Sequence, residues 1–404
     1  MHFNCEDMSE DQYINFDEYI RQGEPQKKAR ADAWRVAIGL QAVDGLKTSA
    51  YLQETARRNI EGDITIDEAK ELVNQYYIKK TTHDEGDANV EEADKVSANI
   101  SKLLQTDAFT YSVAGFAAIH RAIFEGVFKQ AGCFRDYDIT NKEWVLRGDT
   151  VLYAHWEDLN MTLQYDLEQE RQFNYKSLDK NQLMEHISKF VSGLWQIHPF
   201  GEGNTRTTAI FTIKYLRSLG FDVNNDLFEQ HSWYFRNALV RANYRNVAKG
   251  IDYEFVFLER FFRNLLLGED NALKNRYMMI NPPEEWEMPE NDLASTPQAP
   301  DKYPSSTPQV PPKLPDNLPD KFYNNNQKII GLVMVIGLKE MSIKEMLGQL
   351  GLKNRESFMD VYLNPALKEK FVRMLYRDKP HHPRQKYLLT AKGIVLYNEI
   401  TANQ

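Results

Sequence analysis

The sequence predicts a mainly α-helical protein that carries one β-hairpin and ends in a small α+β domain. Three observations predict this fold class. Apolar residues recur at helical spacing through most of residues 29–280, whereas the short segment 142–154 alternates apolar and polar residues around a glycine. A proline-rich stretch, 281–320, then precedes a basic C-terminal segment, and proline is poorly compatible with helices and central strands.

Composition limits the function classes. With 404 residues, two or three domains are expected. The net charge of −9 and a pI near 5.6 argue against a nucleic-acid surface over the whole chain. Two cysteines, Cys5 and Cys133, cannot form a disulfide framework. No signal peptide is visible, and the longest apolar run, 329–338, is too short to cross a bilayer, so a cytoplasmic protein without membrane contact is expected.

The N-terminal third divides into two parts. Residues 1–28 are predicted to be flexible. Residues 29–100 are predicted to form a helical cap, with breaks at Asp44-Gly45 and Gly62-Asp63, where glycine favours a helix end.

The remaining chain divides into three. Residues 101–270 are predicted to form a central helical domain. Residues 281–320 read as an extended linker, with a ligand for a proline-binding module as the alternative. Residues 321–404 hold 14 Lys and Arg against 7 Asp and Glu, and their pattern fits a helix-turn-helix followed by a β-wing.

The candidate catalytic and ligand-binding residues lie together in the segment HPFGEGNTRTTAIF, residues 198–211. One amphipathic helix is predicted to end near Ile197 and another to begin near Asn204, and a glycine-containing loop that leads into a helix N-terminus favours anions. Arg206 can grip a phosphate, Glu202 can hold Mg²⁺, and His198 titrates in the range of a general base. Each residue alone is more often structural, and the specificity lies in their combination.

This segment resembles the Fic/Doc motif HPFx(D/E)GNxR at every fixed position, which are His198, Pro199, Phe200, Glu202, Gly203, Asn204 and Arg206. The resemblance covers roughly 110–265. Residues 119–154 are similar to the family's helix, AGxFR turn and flap hairpin, and SWYFRNALVRANYRN is similar to its adenine-side helix. It implies a Fic helical core with a hairpin flap.

The resemblance also implies a reaction. His198 would deprotonate a Tyr, Thr or Ser hydroxyl of a target protein, whose oxygen attacks the α-phosphate of ATP, and pyrophosphate leaves. Glu202 would hold Mg²⁺. The phosphates would be bound by Gly203, Asn204, Thr205 and Arg206.

Recognition of the partners is implied less strongly. The flap would dock the target by strand addition through Lys142, Trp144, Val145 and Leu146. The adenine-side candidates are Tyr234, Phe235 and Asn243, although core packing explains the two aromatic residues equally well.

Two positions depart from the family pattern. Thr205 stands where the phosphorylating branch has lysine, which argues against phosphate transfer. Ala209 stands where adenylylating members often have a second arginine, so the triphosphate clamp is incomplete. Transfer of another nucleotide or of phosphate is therefore the alternative activity.

Residues 37–73 resemble a VbhA-like antitoxin fused to its toxin, and the implied inhibitory carboxylate falls on Asp44. Glu61 also precedes a glycine, but it aligns better with a later turn. Because Ala209 offers Asp44 no arginine partner, the cap is expected to inhibit weakly or differently. A purely structural cap is the alternative.

Residues 321–404 resemble the winged-helix tail of many Fic proteins, with Lys379, Arg384 and Lys386 where a wing would meet DNA. DNA binding, target docking and homodimer formation are all consistent with this tail. A DNA-binding regulator whose Fic core serves as a nucleotide sensor is the alternative from another function class.

Overall fold

The computed structural model describes residues 16–21, 24–80, 86–223, 226–282, 326–352, 354–376, 379–380 and 382–402. Over this part of the chain the protein is mainly helical, as the sequence predicts, and its named strands are confined to the C-terminal domain. None of the described helices combines the length and apolar character needed to traverse a bilayer.

The described N-terminal residues form five helices: α1 (Phe16–Arg21), α2 (Pro25–Gly39), α3 (Ala50–Glu61), α4 (Ile66–Lys79) and α5 (Asp87–Leu104). A 3₁₀ turn, Leu40–Asp44, follows α2 and ends at Gly45. Within the segment predicted to be flexible, 1–28, residues 16–21 and 25–28 are helical, and Tyr19 is buried against the α2 core. Residues 1–15 and 22–23 lie outside the described part.

Helices α2 and α5 each contribute to two hydrophobic cores. Trp34 of α2 and Ala98 of α5 pack in a core formed by the N-terminal helices. The opposite faces of the same helices place Val36 and Ile100 in the main core of the central domain. The cap and the central domain therefore share a core, and the predicted boundary at residue 100 falls inside α5. Deleting the cap would strip apolar side chains from the central domain, so its role has to be tested with point variants.

The central domain contains α6 (Val113–Phe124), α7 (Leu159–Gln172), α8 (Lys180–Ile197), α9 (Asn204–Ser218), α10 (Asp226–Ala242) and α11 (Val256–Phe262). A capping box between Asp179 and Gln182 starts α8. Helix α9 is the central helix, since all its residues from 204 to 216 are buried. The predicted end of α8 and start of α9 are confirmed. Met278 and Ile280 still pack in the main core, beyond the predicted end at 270.

The predicted β-hairpin at 142–154 is wrong, because the structure has no strand in these fully described residues. Trp144–Leu146 form a 3₁₀ turn, and Arg147 follows with a φ of 52°. The alternation of apolar residues has another cause. Val145 is buried, and its carbonyl accepts a hydrogen bond from the Ile280 amide at 2.9 Å. The segment is a loop folded onto the central domain, and its order comes from this tertiary contact.

The C-terminal domain has the predicted α+β character. Its elements are α12 (Gln327–Ile336), α13 (Ile343–Gln349), α14 (Arg355–Phe358), a π turn (Met359–Leu363), α15 (Asn364–Lys368), β1 (Val372–Met374), β2 (Tyr387–Leu389) and α16 (Ala391–Ala402). Strands β1 and β2 are antiparallel, with Val372 opposite Leu389. Val395 of α16 packs in the main core, so this domain contacts the central domain. The linker prediction, 281–320, lies almost entirely outside the described residues.

Candidate active site

Helix α8 ends at a histidine in an unusual conformation. His198 has φ 50° and ψ 56°, in the left-handed region that residues with a Cβ seldom adopt. Its Nδ1 lies 2.9 Å from the Trp195 carbonyl oxygen. Because a carbonyl can only accept, Nδ1 carries the proton and Nε2 has the lone pair. Burial lowers the pKa of His198 to about 3, so at neutral pH the imidazole is neutral and able to accept a proton.

A buried arginine fixes this histidine and the loop that follows it. Arg135 Nε donates to the His198 carbonyl at 2.8 Å, and its Nη1 donates to the Tyr137 carbonyl at 2.6 Å. Its Nη2 donates to the Ala154 carbonyl, which joins the 142–154 loop to the same anchor. The Arg135 amide also bonds to the Pro199 carbonyl at 2.9 Å. One guanidinium thus connects the catalytic candidate to the loop beside it.

The glycine before α9 is required by packing. Gly203 has a φ of 72°, and a Cβ added there would lie 2.1 Å from the Phe124 ring. The Asn204 side chain accepts from the Phe200 amide at 3.0 Å and donates to its carbonyl at 2.8 Å. Thr205 accepts from the Trp195 indole at 2.9 Å. These two side chains shape the loop. No side chain caps α9, which leaves its first amides facing the loop.

Arg206, in the first turn of α9, is 2% exposed and is held by the N-terminal helices. Its Nη2 donates to Glu92 at 2.8 Å and its Nη1 to Gln41 at 3.1 Å. Its Nε lies 2.8 Å from Asp44 Oδ2, but this contact is misaligned for a hydrogen bond and is ionic only. The expectation that Asp44 lacks an arginine partner is therefore wrong, because Arg206 takes that place.

Glu202 lies exposed in the same loop. Its pKa is raised, first by desolvation and then by the negative charges of Asp44 and Glu92. A cation is therefore favoured at this position. The described residues contain no group of three or more side chains arranged to hold a metal. One carboxylate together with substrate phosphates is how Mg²⁺ is commonly held, so Glu202 fits the single protein ligand of such a site.

Two protein families match this chain, one in the central domain and one in the C-terminal domain. Residues 110–216, which include the whole loop and most of α9, match the Fic/DOC family. The chain contains a Fic/DOC family domain. Residues 327–390 match the Fic-like C-terminal domain of the proteins described as filamentation induced by cAMP. These two matches fall within the central and C-terminal domains, and neither reaches residues 29–100.

The comparisons found similarity to a curated protein and to a solved structure. Protein adenylyltransferase VbhT from Bartonella schoenbuchensis is 26% identical over 129 residues, which are 32% of this chain and a quarter of the relative's length. A crystal structure of a Fic family protein from Desulfovibrio desulfuricans G20 is 15% identical, with 93% of each chain covered and a TM-score of 0.39.

Within the Fic domain, the sequence analysis missed a second buried histidine. His120 of α6 accepts a hydrogen bond at Nδ1 from the Gly132 amide, at 2.8 Å. Its Nε2 therefore carries the proton and donates to the Glu202 carbonyl, at 3.1 Å. The ring also stacks on Phe200 at 3.7 Å. His120 thus positions the backbone of the loop at Glu202. His120 lies in the IHRAIF stretch, and the resemblance of that stretch to the Fic family is the one signal in the sequence that points to it.

The adenine-side candidates of the Fic domain are buried in its core. The Tyr234 hydroxyl donates to the Phe257 carbonyl at 3.1 Å, and Phe235 is fully buried. The Asn243 amide donates to the carbonyls of Ser192 and Leu239, both at 3.0 Å. These contacts favour core packing.

The structure separates the four candidates for target docking. Val145 and Leu146 are buried, whereas Lys142 and Trp144 are exposed and remain accessible to a partner. Glu61, the other inhibitory candidate, pairs with Lys27 at 3.0 Å and takes no part in the Arg206 cluster.

Acid is expected to destabilise the Fic domain through its two buried histidines. Burial lowers the pKa values of His120 and His198 to about 4 and about 3, against roughly 6.5 in an unfolded chain. Between these values only the unfolded state binds the protons. The contribution to stability is complete above roughly pH 6.5 and is lost as the pH falls towards about 4. For His120 alone, urea unfolding should show that the free energy of unfolding falls by on the order of 3 kcal/mol between roughly pH 6.5 and pH 4.

A matched pair of variants tests the source of that loss. His120→Asn should flatten the dependence of the unfolding free energy on pH in this window. His155→Asn should leave it in place, because His155 is half exposed and pairs with Asp138 at 2.7 Å. An equally steep dependence in His120→Asn would contradict the assignment.

Proposed function

We propose that the Fic domain transfers AMP from ATP to a Tyr, Thr or Ser hydroxyl of a target protein, with release of pyrophosphate. The observation that carries this proposal is the state of His198. Its Nδ1 proton is fixed on the Trp195 carbonyl, so Nε2 of the neutral imidazole has the lone pair that can accept a proton. The relative VbhT, described as a protein adenylyltransferase, supports the same reaction class.

In this mechanism Nε2 of His198 accepts the hydroxyl proton while the hydroxyl oxygen bonds to the α-phosphorus. The bond from that phosphorus to the bridging oxygen breaks, and pyrophosphate leaves with the electron pair. Arg135 acts as a positioning residue, since its hydrogen bond to the His198 carbonyl holds the imidazole in place. The approach of a phosphate anion raises the pKa of the imidazole and makes it a better base.

The phosphates are proposed to lie at the uncapped start of α9, against the amides of residues 203–206 and the Arg206 guanidinium. Glu202 would hold Mg²⁺, which supplies neutralising charge to the triphosphate. Residue 209 is an alanine, which is fully buried and carries no charge, so this position contributes nothing to phosphate binding. Arg206 is therefore the principal cationic side chain of this site.

The target protein is proposed to dock along the exposed side of the 142–154 loop. Trp144 is 43% exposed and Leu152 is 82% exposed, which leaves apolar surface for a partner next to His198. The loop is kept in place by Glu143, which is fully buried and pairs with Arg236 through both carboxylate oxygens. A rigid docking edge would present the target hydroxyl with little loss of entropy.

The cap is proposed to restrain the reaction through Arg206. Asp44 and Glu92 occupy the guanidinium edges that a phosphate would need. ATP must therefore compete with two carboxylates of this same chain. The inhibitory carboxylates act on the first arginine of the motif, which explains why a cap can be retained in a chain with Ala209.

The experiment is to incubate the full chain with Mg²⁺ and either α-labelled or γ-labelled ATP, followed by intact mass measurement. Retention of only the α-label, with the mass of AMP added, is expected. His198→Ala should abolish it, and the exposed His155→Ala should not. Both should be repeated with the Asp44→Asn/Glu92→Gln background. Retention of the γ-label would indicate phosphate transfer, and no label in either background would contradict the proposal.

A further inference from the structure

A cavity of about 410 Å³ lies between the C-terminal end of α9 and the C-terminal domain. None of its lining residues belongs to the His198–Arg206 loop. Its lining includes Phe109, Lys214 and Arg217 from the central domain and Leu367, Lys370 and Arg373 from the C-terminal domain. The cavity is large enough for a small organic ligand.

The charges that line the cavity are mostly positive. Four cations, Lys214, Arg217, Lys370 and Arg373, face one carboxylate, Asp107. Lys214 is 4% exposed, and burial together with the nearby Arg217 lowers its pKa to about 8. The Lys214 ammonium donates to the Thr106 and Ala108 carbonyls, at 2.8 Å and 3.1 Å, and a bound anion would add to the negative charge that Asp107 supplies beside it. The lining therefore selects for negative charge.

Backbone geometry holds the two domains close together at this cavity. Lys370 follows α15 with a φ of 59°, at a position where helices usually carry glycine. Gly220 has a φ of 100°, and a Cβ added there would lie 2.6 Å from the Lys370 carbonyl oxygen. The Thr390 hydroxyl donates to the same oxygen at 2.7 Å. Lys370 thus adopts a conformation typical of glycine at a tight contact between the domains, and it lines the cavity.

We propose that this cavity binds a phosphate-bearing small molecule of about mononucleotide size. Lys370 and Arg373 would contact the phosphate. Phe109, Leu367 and Met374 supply an apolar wall for an organic group on the same ligand. Because residues of both domains take part, the ligand would hold the C-terminal domain on the Fic domain. The proposal does not depend on AMP transfer at His198.

A small ligand fits the position of these charges better than duplex DNA does. The cavity lies at the contact of two domains, and Lys214 is buried within it. The side chains available to a DNA backbone are instead Lys379 and Arg384, which are exposed in the loop between β1 and β2. Binding at the cavity and binding at this loop can thus be separated by variants.

The test uses the full chain with Arg206→Ala, which removes the phosphate-binding side chain of the Fic site. Calorimetric titration with AMP and with pyrophosphate should still detect binding. Adding Lys370→Gln/Arg373→Gln should weaken it at least about tenfold. The matched control, Lys368→Gln/Lys344→Gln, removes two exposed lysines of the same domain and should leave the affinity within about twofold.

Hydrogen exchange provides a second measurement on the same proteins. AMP should slow exchange at the amides around Gly220, Lys370 and Lys392, where the domains touch, and the pocket variant should lose that protection. Equal affinity in the pocket and control variants would overturn the proposal. So would binding of duplex DNA that needs Lys370 and Arg373 while neither AMP nor pyrophosphate binds.

Discussion

Asp44→Asn combined with Glu92→Gln is expected to raise the rate of AMP transfer at least about tenfold. The two substitutions keep the side-chain shapes and remove the charges that hold Arg206 at 2.8 Å each. Both carboxylates are partly exposed, so each ion pair is expected to contribute only about 1 kcal/mol to holding Arg206 in place. Release of about 1.4 kcal/mol corresponds to a tenfold change in the accessible fraction of Arg206. The measurement is initial-rate incorporation of α-labelled AMP at an ATP concentration below saturation.

Two control variants separate this effect from a general loss of negative charge. Glu91→Gln changes the neighbouring carboxylate, which pairs with Lys95 at 2.5 Å. Glu61→Gln changes the other candidate brake residue, which pairs with Lys27. Neither should change the rate by more than about twofold. If the double variant transfers AMP more slowly than the wild type, the carboxylates orient Arg206 for catalysis and the inhibitory role is refuted.

Gly203→Ala is expected to reduce AMP transfer at least about a hundredfold and to destabilise the protein by roughly 2–4 kcal/mol. The added methyl group would lie 2.1 Å from Phe124, which is fully buried. The Arg206 guanidinium stacks over that same ring at 4.8 Å. A shift of Phe124 therefore displaces Arg206, the proposed phosphate clamp, and small displacements in an active site are costly. Thermal unfolding and transfer rate should be measured together.

Substitutions at two other glycines separate the effect of backbone strain from the effect of the clash with Phe124. Gly250→Ala introduces the same left-handed strain, at a φ of 68°, with no atom within 4 Å of the new methyl group, so only strain is added. Gly201→Ala lies in the catalytic loop but meets only the hydroxyl end of Tyr137, an exposed side chain that can move. Both should keep most of the transfer activity. Loss in Gly201→Ala as large as in Gly203→Ala would show that the loop, and not Phe124, is the sensitive element.

Local patterns predicted the helices well because local chemistry determines them. Asp179 and Gln182 start α8 with a capping box, Pro199 disfavours helix at His198, and glycine ends α3 at Gly62. The residue types of the His198 loop predict a base and a phosphate site, and the structure shows the local geometry of that loop between α8 and α9. All of these depend on residues within a few positions of each other.

The parts that could not be predicted depend on contacts between distant residues. The 142–154 loop alternates in sequence like a strand, but its buried side results from Ile280 and Arg236, far along the chain. Glu92 reaches Arg206 only because α5 packs beside α9, and no local pattern contains that information. The core role of Tyr234 likewise follows from α11, which supplies the Phe257 acceptor.

Helices α2 and α5 each pack into both hydrophobic cores, and this packing bears on the kinetics by which Arg206 could be released. A brake built from a separate polypeptide would be released by dilution, at a rate set by its dissociation. Here Asp44 and Glu92, the carboxylates proposed to restrain Arg206, lie in a part of the chain that shares hydrophobic contacts with the Fic domain, so their local concentration does not depend on how much protein is present. Release of Arg206 by local movement of the Leu40–Asp44 turn or of the Glu92 side chain would then be unimolecular. Its kinetics should be first order and independent of protein concentration.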